Sequence, residues 1–303
     1  MKKEPFFSII IPTYNRAVLL MNALQSVIQQ TNSDWEVIVI DDGSTDNTKE
    51  VVADFRDPRI QYIYQQNAER SAARNNGLRH ARGKFICFLD SDDTYLPNHL
   101  ECLHGLILEK NEAPGMYITN VMRNQFGKRL DVAFENVADY RNAVCYFLTA
   151  RESIISTRVA IHADILKRFQ FDPNLKVSED TDLWVRIGLY YPIYQTPEAT
   201  VVYHIHEDNS TNTASNPFTN QLVALRKIFS DPALKEMIPS SVKNQKLSRC
   251  YYGIATFHFY KKNYSQMMKN LVTSIVWSPS SPTTRAKLYM MGVGLAYALG
   301  LKR

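Results

Sequence analysis

Asp90-Ser91-Asp92-Asp93 places three carboxylates within four positions, directly after the apolar run Phe85-Ile86-Cys87-Phe88-Leu89. Like charges this close repel one another, and the end of a buried strand adds a desolvation cost. A divalent cation offsets both. Hard oxygen donors suit Mg²⁺ or Mn²⁺, ions that keep some of their waters and bind substrate phosphates. The competing explanation is a solvated turn, in which Asp and Ser are ordinary residues. A second acidic cluster, Ser178-Glu179-Asp180-Thr181-Asp182, precedes Leu183-Trp184-Val185-Arg186. Acids there suit the positive end of a helix, with Ser178 at its start. One carboxylate held on so rigid a support also suits removal of a proton from an attacking hydroxyl. A third cluster, Asp41-Asp42-Gly43-Ser44-Thr45-Asp46, closes the apolar run Trp35 to Ile40. By itself it reads equally as an Asp-Gly turn that caps a helix.

The elements that must position these clusters follow from hydrophobic spacing. Phe6 to Ile11 reads as a buried strand closed by Pro12, with Pro12-Thr13-Tyr14-Asn15-Arg16 as the loop after it. Leu20, Leu24, Val27 and Ile28 fall at helical spacing within Ala17 to Gln30. Trp35 to Ile40 is a second strand, a helix carries Val51, Val52 and Phe55, and Ile60 to Tyr64 is a third strand. Glu69 to His80 is a helix, and the Phe85 run is the fourth strand. Strand and helix alternating with short connections predict a parallel α/β sheet wound with right-handed crossovers. The loops after the first, second and fourth strands then emerge on one carboxyl edge, where ligands of open α/β sheets bind.

Composition bounds the class. The 303 residues suffice for one large domain or two modest ones, and 45% apolar with 21% charged residues is ordinary for a soluble globular protein. A net charge of +5 is too small to argue for nucleic acid. Cys87, Cys102, Cys145 and Cys250 have no paired spacing, which gives neither a zinc ribbon nor a disulfide framework and suits a reducing cytosol. The start, Met1-Lys2-Lys3-Glu4-Pro5, leaves no room for a signal peptide before the first strand, and no run is long enough to span a bilayer. The expected location is cytoplasmic, with the inner face of the cell membrane as a peripheral alternative. The first loop holds no Gly-x-Gly-x-x-Gly, and no Gly-Lys-Ser/Thr phosphate loop occurs. A nucleotide diphosphate bound here would need a metal, which returns the reading to Asp90 and Asp92.

Ser8 to Arg16 (Ser-Ile-Ile-Ile-Pro-Thr-Tyr-Asn-Arg), Val39 to Asp46, Arg74-Asn75-Asn76-Gly77 and Phe88 to Asp93 together resemble the family 2 glycosyltransferases. The resemblance is dense over the first third of the chain and sparser to about residue 210. It implies a GT-A fold, a Rossmann-like, mostly parallel sheet flanked by helices, and a nucleotide-sugar donor, most often a UDP-sugar. It implies that Pro12, Tyr14 and Arg16 belong to the loop framing the nucleoside and that Asp41 contacts base or ribose. The acidic triplet resembles the family's Asp-x-Asp motif. Asp90 and Ser91 would then lie against ribose or sugar, and Asp92 would bind the metal bridging both phosphates. Arg70 and Arg74, one turn apart, reach phosphate or fix Asp41, with an ordinary surface ion pair as the alternative. The Glu-Asp pair resembles the motif opening an acceptor-side helix, which makes Asp180 the base of an inverting transfer and puts Glu179 and Trp184 on the acceptor side. In Val201-Val202-Tyr203-His204-Ile205-His206, the resemblance favours His206 as a further metal ligand over His204.

Leu96 to Glu109 reads as a helix, Tyr117 to Met122 and Ile154 to Ala160 as strands, and Ile161 to Phe169 as a short helix. Residues 126–151 lack a strong period beyond a helix near Asn142 to Thr149. We therefore expect a catalytic domain over residues 1–215, with a nucleotide-sugar half (1–95) and an acceptor half (96–215), and a helical region over 216–303. Ala255 to Tyr260 and Met267 to Ile275 suggest a helix pair. The segment Thr284 to Arg303, nearly all apolar between Arg285/Lys287 and Lys302/Arg303, suits a membrane surface, a helical core or a homodimer contact. The acceptor would be a glycan or a lipid-linked sugar. Sugar nucleotidyl transfer, and a non-catalytic nucleotide-sugar scaffold, are the readings from other classes.

Overall fold

The structure is a computed structural model that describes residues 4–125, 127–206, 216–280 and 283–298. Its contacts divide the chain into two units, Met1–Glu207 and Asp208–Arg303. In the first, β1 (Phe7–Thr13), α1 (Ala17–Ile28), β2 (Trp35–Asp41), α2 (Thr48–Asp54), β3 (Ile60–Tyr64), α3 (Glu69–His80) and β4 (Phe85–Phe88) follow the alternation read from the sequence. Every residue of β1, β2 and β4 is buried, as expected for parallel strands covered on both faces. Pro12 does not close β1; the strand runs through it to Thr13. Even-numbered residues of β1 face β4, whose pairing ends at Ile10–Phe88, so the missing N–H of Pro12 costs the ladder nothing.

The second half departs from a mostly parallel sheet. It adds β5 (Thr94–Tyr95), α4 (His99–Glu109), β6 (Met116–Gln125), β7 (Lys128–Asp131), α5 (Ala143–Thr149), β8 (Val159–His162), α6 (Ala163–Arg168), α7 (Glu179–Gly188) and β9 (Ile193–Ile205). The order is β3-β2-β1-β4-β8-β6-β9-β5, with β7 on β6. β3, β2, β1 and β4 are parallel; β8 is antiparallel to both β4 and β6, β9 is parallel to β6, and β5 is antiparallel to β9. The strand expected at Ile154 begins only at Val159, because Ser156–Arg158 makes a 3-10 turn first. The mixed pairing shapes the site. Antiparallel β8 delivers the residues before it, Ser156 and Thr157, to the carboxyl end of β4. Antiparallel β5 on β9 likewise brings His204 beside the acidic loop.

Glycine sets the closest packing. A Cβ on Gly77 would lie 2.4 Å from Ile10 Cγ2, so only glycine lets α3 sit this low on β1. One turn earlier on the same helix is Arg74.

The second unit holds α8 (Pro217–Ser230), α9 (Pro232–Met237), α10 (Ser240–Tyr260), α11 (Tyr264–Trp277) and α12 (Thr284–Ala298). The helix suggested at Ala255 to Tyr260 is the end of the 21-residue α10, which forms a hairpin with α11 over Ala255, Met267 and Leu271. Lys287 is not an interfacial anchor: it is buried, and its Nζ donates to Ser248 Oγ at 2.7 Å. Residues 299–303, which end the apolar segment of the sequence reading, lie outside the described residues.

Candidate active site

The loop after β1 and the loop after β2 are joined at the carboxyl edge. Asn15, in the left-handed region at φ 50°, donates its N–H to Ser44 Oγ (2.9 Å) and accepts from Thr45 N on Oδ1 (2.7 Å). Gly43 makes the turn at φ 93°. Asp41 is buried, accepting from Ser44 N (2.7 Å) on one oxygen and from the Tyr62 hydroxyl (2.6 Å) on the other. Asp42 beside it accepts from Gln65 Nε2 (2.6 Å) and from Ala68 N (2.9 Å) at the start of α3. Both carboxylates thus shape the crevice wall. Pro12 is buried beneath the loop and Tyr14 stands 48% exposed above it.

The centre of the site is Arg74, 2% exposed and surrounded by acids. Its Nη2 donates to Asp90 Oδ1 at 2.7 Å, and its Nη1 reaches Glu179 Oε1 at 3.1 Å and Asp180 Oδ1 at 3.3 Å. One guanidinium therefore joins the loop after β4 to the start of α7, positions about ninety residues apart in sequence. Burial alone would lower its pKa; the three carboxylates outweigh it, and Arg74 stays charged. Arg70, one turn earlier, pairs with Glu179 Oε1 (2.6 Å) and donates to Lys176 O (2.6 Å). The alternative of an ordinary solvent-facing ion pair does not describe Arg74.

The shared cation treats the carboxylates differently. Burial would raise the pKa of Asp90, but Arg74, with Arg70 and Arg16 behind it, holds it below the usual range. Asp180 is pushed up to about 7: burial dominates, Arg74 opposes it, and Glu179 and Asp90 add like charge. Its Oδ2 accepts from Ser156 N at 3.2 Å, yet its side chain keeps 20% of its surface open. A carboxylate poised near neutrality and open to solvent is suited to take a proton at physiological pH. Asp93, by contrast, is buried and pushed well above the usual range by burial and by Asp90 and Asp92. It accepts from the Thr157 hydroxyl (3.0 Å) and His204 N (3.2 Å), so it is a brace under the loop.

Asp92 points the other way. Arg16 Nη1 and His206 Nε2, the latter at 3.2 Å, both meet its Oδ2. Two ligands at about 2.1 Å on an octahedral ion are themselves about 3 Å apart, and carboxylate oxygen with imidazole nitrogen suits Mn²⁺ or Mg²⁺. The Asp92–His206 pair fits a divalent ion by spacing and by chemistry, with the Arg16 guanidinium as the protein's own cation on the same oxygen. Among the described residues no group of three or more His, Cys, Asp or Glu side chains is gathered as a metal site. A cleft of about 800 Å³ opens on Asp92, His204 and His206 and runs past Asn22 and Gln25 of α1 and Gln29 just after it.

Two expectations need revision. Trp184 does not face an acceptor: it is 1% exposed, packs against Phe171 and donates Nε1–H to Ile154 O at 2.8 Å, because its face of α7 turns to the core. Ser178 stands at the start of α7 in the left-handed region, φ 62°, and its side chain makes no cap bond. Glu179 is buried and faces Arg70 and Arg74; Ser91 is buried within the loop. Sequence reasoning passed over four residues. Asn75 clamps Phe171 by donating to its carbonyl (2.8 Å) and accepting from its N–H (3.1 Å), which ties α3 to the segment before α7. Asp42, Ser156 and Thr157 are the others. Asn75 and Asp42 sat inside the quoted motifs; Ser156 and Thr157 carried no local signal.

This architecture and site define the class: a glycosyltransferase of GT-A fold. The family described as "Glycosyl transferase family 2" matches residues 8–171. The chain belongs to that family. An uncharacterized glycosyltransferase of Rickettsia prowazekii is 29% identical over 230 residues, 70% of this chain and 68% of that protein. The Escherichia coli UDP-Glc:alpha-D-GlcNAc-diphosphoundecaprenol beta-1,3-glucosyltransferase WfgD is 43% identical over 105 residues, 34% of this chain and 42% of that protein. Among solved structures, S. aureus TarS 1-349 in complex with UDP-GlcNAc covers 97% of this chain and 92% of its own, at TM-score 0.63 and 20% identity. The mannosyltransferase PcManGT from Pyrobaculum calidifontis, in complex with GDP-Man and Mn²⁺, covers 98% of this chain and 81% of its own, at TM-score 0.61 and 19% identity.

Proposed function

We propose that this protein transfers a sugar from a UDP-sugar to an acceptor hydroxyl with inversion, in the synthesis of a polysaccharide or glycoconjugate. The observation that carries the reading is the Arg74 junction, which holds the acidic loop after β4 against the Asp180 carboxylate. A single displacement needs the donor and the acceptor's base on one rigid frame. The acceptor oxygen bonds to the anomeric carbon as that carbon's bond to the diphosphate breaks, and the hydroxyl proton goes to Asp180. UDP leaves with the bonding pair.

Tyr14 would line the nucleoside end, over buried Pro12 and Asp41, and Asp90 would face the sugar, with Ser91 buried behind it in the loop. Asp92 and His206 would hold Mn²⁺ or Mg²⁺. When bound, that ion supplies charge stabilisation to the departing diphosphate. Arg16, paired with Asp92 and 26% exposed on its side chain, would add a second positive charge beside the departing diphosphate. The printed substrate of WfgD makes a lipid-linked sugar the acceptor class to test first. The protein acts in the cytoplasm, where nucleotide sugars are available.

A panel of UDP-, GDP- and dTDP-sugars with Mn²⁺ tests this reading, scored by thermal shift and by nucleoside diphosphate release. Stabilisation by one UDP-sugar with slow UDP release supports it. Release of pyrophosphate, or no response to any donor, contradicts it.

A further inference from the structure

The two units divide charge unequally. Asp208–Arg303 holds 13 Lys and Arg against 3 Asp and Glu, net +10, whereas the first 207 residues hold 22 against 27, net −5. So steep an asymmetry within one chain is not needed for folding; it is an electrostatic statement about a partner. Arg226, Lys235, Arg249, Lys261, Lys262, Lys269 and Arg285 are all exposed.

The same unit leaves apolar side chains open on one helix face. On α12, Leu288 is 57% exposed, Tyr289 75% and Leu295 53%, with exposed Gly292 between them. Spacings of three and four residues make them one stripe, which Arg285 begins. The opposite face is used: Lys287 is buried, Met290 and Met291 pack on the helical core, and a Cβ on Gly294 would lie 2.0 Å from Met267 Cε. The stripe is therefore an outer face left over after α12 has packed. The helix runs back toward the α10–α11 turn, where Tyr297 stacks on Tyr264 at 5.6 Å and meets Phe259 at 6.5 Å. That turn presents Tyr260, 77% exposed, followed by Lys261 and Lys262. An apolar stripe ending at an aromatic and two lysines is how a helix lies in a headgroup layer, with lysine stems in the apolar zone and their charges in water.

We propose that the C-terminal unit docks on an anionic phospholipid surface through the outer face of α12 and the basic α10–α11 turn. Charge complementarity selects this occupant. A second copy meeting this unit through the same face would bring the same positive field, whereas an anionic leaflet attracts each lysine and arginine near it. No described helix is long and apolar enough to cross a membrane, so the contact is peripheral. The inference stands apart from the transferase reading, since none of these residues belongs to the candidate active site.

Co-sedimentation of the full chain with vesicles tests it. Binding to 70:30 phosphatidylcholine:phosphatidylglycerol, at least about tenfold above binding to phosphatidylcholine alone and weakened by salt, is the expected result. L288E/Y289E and, separately, K261E/K262E should each lower that binding at least about tenfold with an unchanged far-UV spectrum, since all four side chains are exposed. Equal binding to both vesicle types, no binding, or binding that neither variant moves would overturn the proposal. So would a dimer in light scattering that L288E/Y289E dissolves while the wild type ignores vesicles. Should one variant fail to fold, the other carries the test alone.

Discussion

Arg74→Gln probes the site at its centre, because three carboxylates share this one guanidinium. At about 4 Å between charge centres and an effective dielectric of about 20, one such attraction is worth about 4 kcal/mol, or about 3 pKa units. Solvent at the 20% open Asp180 side chain and the remaining charge of Arg70 reduce the loss felt there. A rise of about 1–3 units is the working range. The sign is fixed: a carboxylate with a higher pKa keeps its proton to higher pH, so the base form is lost at neutrality and regained in alkali. From a starting value of about 7, the deprotonated fraction at pH 7 falls roughly 5- to 500-fold. The assay is the pH dependence of UDP release from 5.5 to 9.5, beside a urea melt. Loss of one partner of a buried ion pair typically costs about 3–5 kcal/mol, so folding is checked first, and Arg74→Lys, which keeps the charge, is the fallback. An inflection that stays near its wild-type position in a folded variant would refute the claim that Arg74 sets the Asp180 pKa.

Asn75→Ala removes both bonds to the Phe171 backbone and should lower stability by about 1–3 kcal/mol in urea, with a matching fall in melting temperature; an unchanged melt would show that the clamp is idle. Thr157→Val leaves a buried Asp93 oxygen without its hydroxyl donor and should cost about 1–3 kcal/mol, which Thr157→Ser largely restores. Chelation of Mn²⁺ should abolish nucleoside diphosphate release, and His206→Ala should weaken Mn²⁺ binding, followed by EPR of the free ion, at least about tenfold. Equal Mn²⁺ affinity in His206→Ala and wild type would remove His206 from the ligand set.

The first ninety residues were legible because β1, β2 and β4 are apolar runs buried on both faces and each helix begins at a polar break. β3 stands where its apolar run puts it, at Ile60–Tyr64, and α3 spans the polar stretch between β3 and β4, at Glu69–His80. Pro12 misled because a proline's cost depends on which neighbour its nitrogen faces, and that is set by where β4 stops. The second half was read as separate segments, since nothing local says that β8 runs antiparallel to β4. That pairing brings Ser156 and Thr157 to the acids, so their roles were invisible until strand order was known. Asp90 and Asp180 stood out as acids at element ends, but their meeting on Arg74 is a tertiary fact. Trp184 shows the converse: beside an acidic motif it suggested an acceptor contact, while its position on α7 turns it into the core.

The most direct measurement is Asp180→Asn, compared with wild type for UDP-sugar binding by calorimetry and for transfer to acceptor in a single turnover. Asparagine keeps the shape of the site and cannot take the acceptor proton. The account predicts donor affinity within about threefold of wild type and a transfer rate down by about 10²–10⁴-fold, the range general base catalysis supplies. Transfer at near-normal rate, with the wild-type pH dependence intact, would contradict Asp180 as the base.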